Sequence, residues 1–186
     1  VQGFFDGPVD HMTALPMFAQ YFRDRGWAGD EVVVVSADAG RAKLAKKFAE
    51  MLDASLAIIA KERPRHSEAR VAEVVGEVAG KKAIISDDII DTAGTLCAGA
   101  EAVRKAGALS VVACATHPIF SGPALERIEA SVLDEVVVCD TVPVDLVHVP
   151  DKVRVLPVDG ILAQTIAEIF HDGSVSGLFG GENQLF

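Results

Sequence analysis

The sequence predicts an α/β domain built on a doubly wound, mostly parallel sheet that is flanked by helices. Short runs of β-branched and other apolar residues recur along the chain, and helical segments separate several of them. This alternation is typical of parallel sheets, since parallel strands need crossover connections. The runs are continuously apolar rather than alternating with polar residues, which indicates strands covered on both faces.

The elements follow in chain order from these runs. The pattern predicts strands at Val32–Val35, Leu56–Ile59, Ala83–Ile85, Ser110–Ala113, Val136–Cys139 and Val153–Leu156. It predicts helices at Lys43–Leu52, Leu96–Ala106, Ala124–Ala130 and Asp159–Phe170. Gly80 and Gly107 stand where a turn or helix has to stop before the next strand.

Composition limits the classes of partner. At 186 residues, half of them hydrophobic, the chain is long enough to bury one good core. Its apolar runs are far shorter than the roughly 20 residues needed to cross a bilayer, so no membrane partner is expected. A net charge of −10 disfavours nucleic acid. The 3 cysteines are scattered in apolar surroundings, as reduced thiols of a cytoplasmic protein would be.

One stretch, IISDDIIDTAGTL at Ile84–Leu96, carries unusual chemistry. We expect a central strand to end at Ser86, a loop to cover Asp87–Thr95 and a helix to begin at Gly94. In open α/β sheets, ligands bind at the carboxyl ends of the strands, where this loop would lie.

The two halves of that loop suit different parts of one ligand. Small residues at the start of a helix, here Thr92, Ala93, Gly94 and Thr95, let backbone N–H groups converge on an anion. Carboxylates repel phosphate but accept hydrogen bonds from sugar hydroxyls and hold Mg²⁺. The pattern therefore predicts a sugar phosphate, with hydroxyls on Asp87 and Asp88 and phosphate on Asp91–Thr95. The alternative is an aspartate turn that merely caps a helix, which needs one aspartate rather than three.

The segment SDDIIDTAGT resembles the phosphoribosyl-diphosphate signature of type I phosphoribosyltransferase-fold proteins, and so implies that fold. Other segments resemble ribose-phosphate pyrophosphokinases, also called phosphoribosyl-pyrophosphate synthetases, namely QGFFDGPVDHM, VVVVSADAG, AIIAKERPR, THPIFSGPA and SVSGLF. That family transfers diphosphate from ATP to the 1-hydroxyl of ribose 5-phosphate, which yields phosphoribosyl pyrophosphate and AMP for nucleotide biosynthesis. The resemblance covers essentially the whole chain.

The resemblance also assigns catalytic residues. Lys61 and Arg63, in the charged segment KERPRHSEAR, match the family's catalytic lysine and arginine on a flexible loop that closes over ATP. Arg63 would also contact ribose 5-phosphate. A solvated basic loop with no catalytic role is the alternative interpretation.

A divalent cation, Mg²⁺ or Mn²⁺, is implied by the same resemblance. Asp38, in SADAG, matches an aspartate that helps to bind the metal together with a histidine of a D-x-H-x-x-Q segment, which this sequence does not contain. Asp6 and Asp10 match positions sometimes linked to metal, although exposed acidic turns around Pro8 explain them equally well. Arg41 stands where the family usually has glycine, and Ala37 where it usually has proline.

The resemblance implies that residues 1–186 form the C-terminal, phosphoribosyltransferase-like domain of a two-domain synthetase. We expect segments 1–12 and 171–186 to pack on the N-terminal domain, and the chain to be inactive without it. Ser174, Ser176 and Phe179 match a regulatory site between subunits. The family is cytoplasmic and forms homo-oligomers, commonly hexamers.

Two other functions stay open. A salvage phosphoribosyltransferase shares the fold and the Asp87–Thr95 loop but needs no Lys-x-Arg after a strand. A non-catalytic, synthetase-associated subunit keeps the architecture without the chemistry, and the presence of Lys61 and Arg63 counts against it. The 5 histidines have no zinc-like spacing, and His117, expected just after a strand, is the most site-like of them.

Overall fold

The strands and helices occupy the following bounds in the computed structural model, which describes residues 2–61 and 72–179. The strands are β1 Val32–Ser36, β2 Ser55–Lys61, β3 Ala72–Val75, β4 Lys82–Ile90, β5 Ser110–Pro118, β6 Glu135–Cys139 and β7 Val153–Leu156. The helices are α1 Leu15–Asp24, α2 Ala42–Met51, α3 Gly94–Lys105, α4 Ala124–Ala130 and α5 Asp159–Phe170. Short 3₁₀ turns lie at Gln2–Phe4, Ala39–Arg41 and Val175–Phe179.

The strands form one 7-stranded sheet in the order β3-β2-β1-β4-β5-β6-β7. Every pairing is parallel except that of β3, which runs antiparallel along the edge of β2. The chain moves outward from β1 to β2 and β3, then returns to the other side of β1 to place β4. The order of the strands therefore reverses between β1 and β4, and this switch point is where open α/β sheets bind ligands. The predicted fold class is confirmed.

Helices cover both faces of the sheet, as the continuous apolar strands predicted. Val33 and Val35 of β1 face a core that includes Val103 of α3 and Ile128 of α4. Val32 and Val34 face the opposite core, formed with α1 and α2 by large side chains such as Phe18 and Phe48. Each large apolar side chain buried in this way contributes about 1.5–3 kcal/mol relative to its exposed state.

Several sequence expectations need correction. The prediction that a loop begins at Asp87 is wrong, because β4 continues through Asp87 and Asp88 to Ile90. The reason is its neighbour: the β4–β5 register runs as far as Ile90 opposite Pro118, so ladder hydrogen bonds outweigh the low strand propensity of aspartate. The same pairing places His117 within β5 rather than after it. Helix α1 and the short edge strand β3 were not predicted.

No helix within the described ranges is long and apolar enough to cross a membrane. All three cysteines lie in those ranges and none forms a disulfide, and Cys114 and Cys139 are buried. Burial, with the nearby Asp140 carboxylate, raises the pKa of Cys139 to about 12. These two side chains therefore behave as neutral core thiols, as the sequence indicated.

Gly76, just after β3, tests how tightly this edge strand is held. It adopts a left-handed φ of +122°, and an added Cβ would lie 2.9 Å from the Cα of Ala57 and 3.0 Å from the carbonyl oxygen of Leu56. Gly76→Ala should lower the free energy of unfolding by about 3 kcal/mol, since rigid backbone has to move. The control Gly26→Ala has φ +72° but nothing within 4 Å, and should cost only about 1 kcal/mol. Equal losses in urea unfolding would contradict this packing.

Candidate functional site

The candidate site lies at the carboxyl edge of β1 and β4, where the strand order reverses. The two strands are in register up to Ser36 opposite Ser86, so the residues that follow them share this edge. After β1 the chain makes the 3₁₀ turn Ala39–Arg41 and enters α2. After β4 it crosses a short loop at residues 91–93 and enters α3.

Two adjacent carboxylates, those of Asp87 and Asp88, form the acidic part of the site. The backbone N–H of Asp88 donates to Oδ1 of Asp87 at 2.8 Å. Arg41, from the turn after β1, bridges both: its Nε lies 3.6 Å from Oδ1 of Asp87, and its Nη1 pairs with Oδ2 of Asp88. One guanidinium therefore offsets two neighbouring negative charges.

The two carboxyl groups ionise differently. Burial, reinforced by the neighbouring Asp88 carboxylate, raises the pKa of Asp87 to about 6. Burial also acts to raise the pKa of Asp88, but the hydrogen bond with Asp87 and the charge of Arg41 outweigh it and lower that pKa below its usual value. Above about pH 6 both groups are mainly ionised, and both can accept hydrogen bonds from hydroxyl groups.

The anion-binding part is the start of α3. Ala93, the residue before the helix, takes a left-handed φ of 58°, and no side chain caps the helix there. The first N–H groups of α3 thus lack the side-chain acceptor that usually satisfies them, which leaves them to an anion at the positive end of the helix dipole. The alternative was an aspartate turn that merely caps the helix, and no side-chain hydrogen bond caps α3 at Ala93.

Neighbouring elements brace this loop. Nη1 of Arg127, on α4, donates to the carbonyl oxygen of Thr92 at 2.9 Å. The backbone N–H of Ser121 donates to the carbonyl oxygen of Asp91 at 3.0 Å, and that of Phe120 to Ile90 at the same distance. The loop after β5 and helix α4 therefore hold the start of α3 in place before any ligand arrives, which is the condition for tight binding.

The candidate metal ligand Asp38 caps the turn that carries Arg41. Its Oδ1 accepts a hydrogen bond from the backbone N–H of Arg41 at 3.0 Å. Within the described ranges no three acidic, histidine or cysteine side chains gather into a metal cluster. Mg²⁺ commonly takes only one or two carboxylates and completes its shell with water and substrate phosphate, so Asp38 fits such an ion. Asp6 and Asp10 are exposed residues ahead of α1.

Comparison with known proteins identifies the family. A family model described as the phosphoribosyl synthetase-associated domain matches residues 66–180, which is more than half of the chain. The chain belongs to this family.

Individual relatives agree with the family match. A ribose-phosphate pyrophosphokinase from Fusobacterium nucleatum is 51% identical over 179 residues, covering 96% of this chain and 57% of the relative. One from Clostridium acetobutylicum is 48% identical, covering 96% and 56% respectively. The crystal structure of phosphoribosylpyrophosphate synthetase from Mycobacterium smegmatis matches with a TM-score of 0.82 and 39% identity, over 92% of this chain and 55% of that one. The chain thus spans a little more than half the length of these relatives.

The remaining predicted residues of this synthetase-associated domain belong to other segments of the chain. Lys61 is the last residue of β2, and its backbone pairs with Ala72 of β3 at the same edge of the sheet as the site. Arg63 lies outside the described residues, as does the rest of its charged loop. Ser174 and Ser176 are joined by a hydrogen bond of 3.1 Å, and Phe179 is buried in the 3₁₀ turn that follows α5.

Sequence reasoning missed two arginines of the site. Arg41 was noted only as a departure from the family pattern, and nothing in the sequence showed that its side chain spans two carboxylates of β4. Arg127 carried no signal, because an arginine on the surface of a short helix is ordinary. Both contacts depend on the packing of elements distant in sequence, which local patterns do not encode.

The raised pKa of Asp87 predicts a pH-dependent stability. The folded protein holds this proton up to about pH 6, whereas an unperturbed carboxyl has a pKa of 3.8, so stability from this group is present at low pH and lost as pH rises through about 6. Asp87→Asn should therefore raise the free energy of unfolding by about 2 kcal/mol at pH 8, with the gain vanishing below about pH 4. Urea unfolding across this range checks it. A gain that is constant with pH would show that ionisation is not the cause.

Proposed function

We propose that this chain provides the ribose 5-phosphate site of a ribose-phosphate pyrophosphokinase. The reaction would transfer diphosphate from ATP to the 1-hydroxyl of ribose 5-phosphate, giving phosphoribosyl pyrophosphate and AMP for nucleotide biosynthesis. The observation that carries the proposal is the pairing of ionised Asp87 and Asp88 with the uncapped start of α3 at the switch point of the sheet. The names of the relatives support the same activity.

The geometry suits the two ends of this substrate. Carboxylates accept hydrogen bonds from the ring hydroxyls, and charge-assisted bonds of this kind are the stronger ones. We assign the 5-phosphate to the N–H groups of residues 93–95 and to the hydroxyls of Thr92 and Thr95. A sugar held at both ends has its 1-hydroxyl in a fixed position, which is what a transfer reaction requires.

Transfer of a diphosphate group depends mainly on positioning and on neutralising charge. We assign the positive charges to Lys61, the last residue of β2, and to Arg63, which comes two positions later in the sequence. Asp38 would hold Mg²⁺ or Mn²⁺, which supplies further positive charge to the diphosphate. Asp6 and Asp10 are weaker candidates, because they are exposed and lie ahead of α1.

A second domain and further subunits belong to the same proposal. We infer that the ATP site is completed by an N-terminal domain, that the protein is cytoplasmic and that it forms a homo-oligomer, with a hexamer implied by the resemblance alone. An apolar stripe on α5, formed by Leu162, Ile166, Ile169 and Phe170, is 41–81% exposed and suits such contacts.

Ser174, Ser176 and Phe179 follow this helix and remain our candidates for a regulatory site.

Substrate binding tests the assignment of the acidic pair. In the full-length protein, Asp88→Asn should weaken ribose 5-phosphate binding by about 10- to 100-fold, since a charged hydrogen-bond acceptor is lost. Binding of inorganic phosphate, which needs only the start of α3, should stay unchanged. Isothermal titration calorimetry measures both, and Asp24→Asn, an exposed aspartate on α1, serves as the matched control. Equal losses for sugar phosphate and phosphate would contradict the assignment.

Turnover tests the role of Lys61. Lys61→Ala should lower kcat for AMP formation by about 100-fold or more and leave the affinity for ribose 5-phosphate within about threefold, as expected for a group that acts on the transition state. Unchanged turnover would rule out this role. Absence of any turnover in the unaltered full-length protein would instead favour a non-catalytic subunit. Tight binding of phosphoribosyl diphosphate together with a free base would favour a salvage phosphoribosyltransferase.

A further inference from the structure

Arg41 occupies the acceptors that the proposed sugar site offers. Its guanidinium contacts Oδ1 of Asp87 and Oδ2 of Asp88, two oxygens that ring hydroxyls would use. The N–H groups of arginine and the O–H groups of a sugar donate hydrogen bonds to the same lone pairs, so Arg41 and a bound sugar compete for these oxygens. Each of these oxygens has a limited number of lone pairs, so a hydroxyl group that binds there weakens or replaces the contact with Arg41.

A small cavity beside Asp87, between the sheet and helices α1 and α2, is lined in part by Arg41. Arg41, Leu44, Ser86, Asp87 and Thr116 are among the residues that line a pocket of about 50 Å³. Such a volume holds a few water molecules, and a pentose is larger. A sugar that reached Asp87 from this side would therefore have to push the arginine side chain aside.

The arginine is held loosely enough to move. The side chain of Arg41 is 27% exposed, and those of Asp87 and Asp88 are 22% and 47% exposed. Ion pairs with this much access to water contribute about 1 kcal/mol or less each, because water and salt screen them. Its backbone stays fixed meanwhile, since Asp38 accepts a hydrogen bond from the Arg41 N–H. The side chain can thus swing out without any change in the turn.

We propose that Arg41 sets the affinity of the site for its sugar by occupying the Asp87 and Asp88 carboxylates until ring hydroxyls displace it. The inference rests on the proposed function, since it takes a ribose phosphate as the ligand. It adds to that function a residue that selects for hydroxyls: a ligand with phosphate alone cannot displace the arginine, whereas a ligand with paired hydroxyls can. Discrimination of this kind is a difference between two affinities.

Removing the guanidinium should tighten sugar binding although it removes a positive charge. In the full-length protein, Arg41→Gln should lower the Kd for ribose 5-phosphate by about three- to tenfold, the range expected from the loss of two half-exposed ion pairs. The Kd for inorganic phosphate should stay the same or rise slightly, because the nearby positive charge has gone. Calorimetric titration of both probes gives the two values.

Arg25→Gln is the matched control. Arg25 is likewise paired with a carboxylate, that of Glu135, although its side chain is more exposed, at 49%, and this pair lies where β6 begins, at the opposite edge of the sheet. The control should change neither Kd. Arg41→Lys retains the charge but not the planar two-pronged donor, so its gain in sugar affinity should fall between those of the wild type and Arg41→Gln. If Arg41→Gln does not fold, the Kd of Arg41→Lys for ribose 5-phosphate tests the inference in its place.

Salt provides a readout that a purely structural role would not change. The ratio of the wild-type Kd to the Arg41→Gln Kd should shrink towards one as salt rises from about 0.05 to 0.5 M, because the displaced ion pairs are screened. Weaker or unchanged ribose 5-phosphate binding in Arg41→Gln would overturn this inference and leave the proposed function standing. Failure of the wild type to bind ribose 5-phosphate at all would overturn both.

Discussion

The structure depends on the placement of two carboxylates inside a strand at the switch point of the sheet. Asp87 and Asp88 are partly removed from water next to each other, an arrangement that costs free energy through desolvation and through like-charge repulsion. The Arg41 guanidinium and the backbone N–H of Asp88 offset part of that cost. What remains appears as the raised pKa of Asp87, a perturbation of the kind that clusters at functional sites.

The start of α3 also departs from the conformations and capping that its local sequence would favour. A non-glycine residue, Ala93, takes a left-handed backbone conformation, and the helix begins without a side-chain cap. Both features cost stability, and the first N–H groups of α3 have no side-chain acceptor at the N-cap. Arg127 and the backbone after β5 hold the loop in this form. Two adjoining segments each break a local preference, one by placing two carboxylates in a strand and one by starting a helix without a cap, which is the pattern expected at a functional site.

The sequence predicted the parallel sheet and its covered faces well, because strands that are buried on both faces have continuously apolar sequences. The bounds of β7, α4 and α5 also agree with the prediction. Here glycine, proline or a change of periodicity marks where each element ends. It failed where tertiary pairing overrides propensity: β4 continues through two aspartates because β5 pairs with it beyond them. The acidic pair and the small residues before α3 were singled out from their types and spacing and Asp38 from a resemblance, but the reach of the Arg41 side chain could not be predicted from either.

The turn between β1 and α2 joins the two parts of the site that the sequence had treated separately. Asp38 holds the backbone of Arg41, and the side chain of Arg41 contacts Asp87 and Asp88, so one residue joins a carboxylate of the turn to two carboxylates of β4. A ligand that binds the Asp38 carboxylate therefore contacts the cap of the turn whose last residue, Arg41, also contacts the acidic pair. The backbone N–H of Arg41 serves the Asp38 contact and its guanidinium serves the acidic pair, so the turn fixes where the side chain begins and leaves its end free to move.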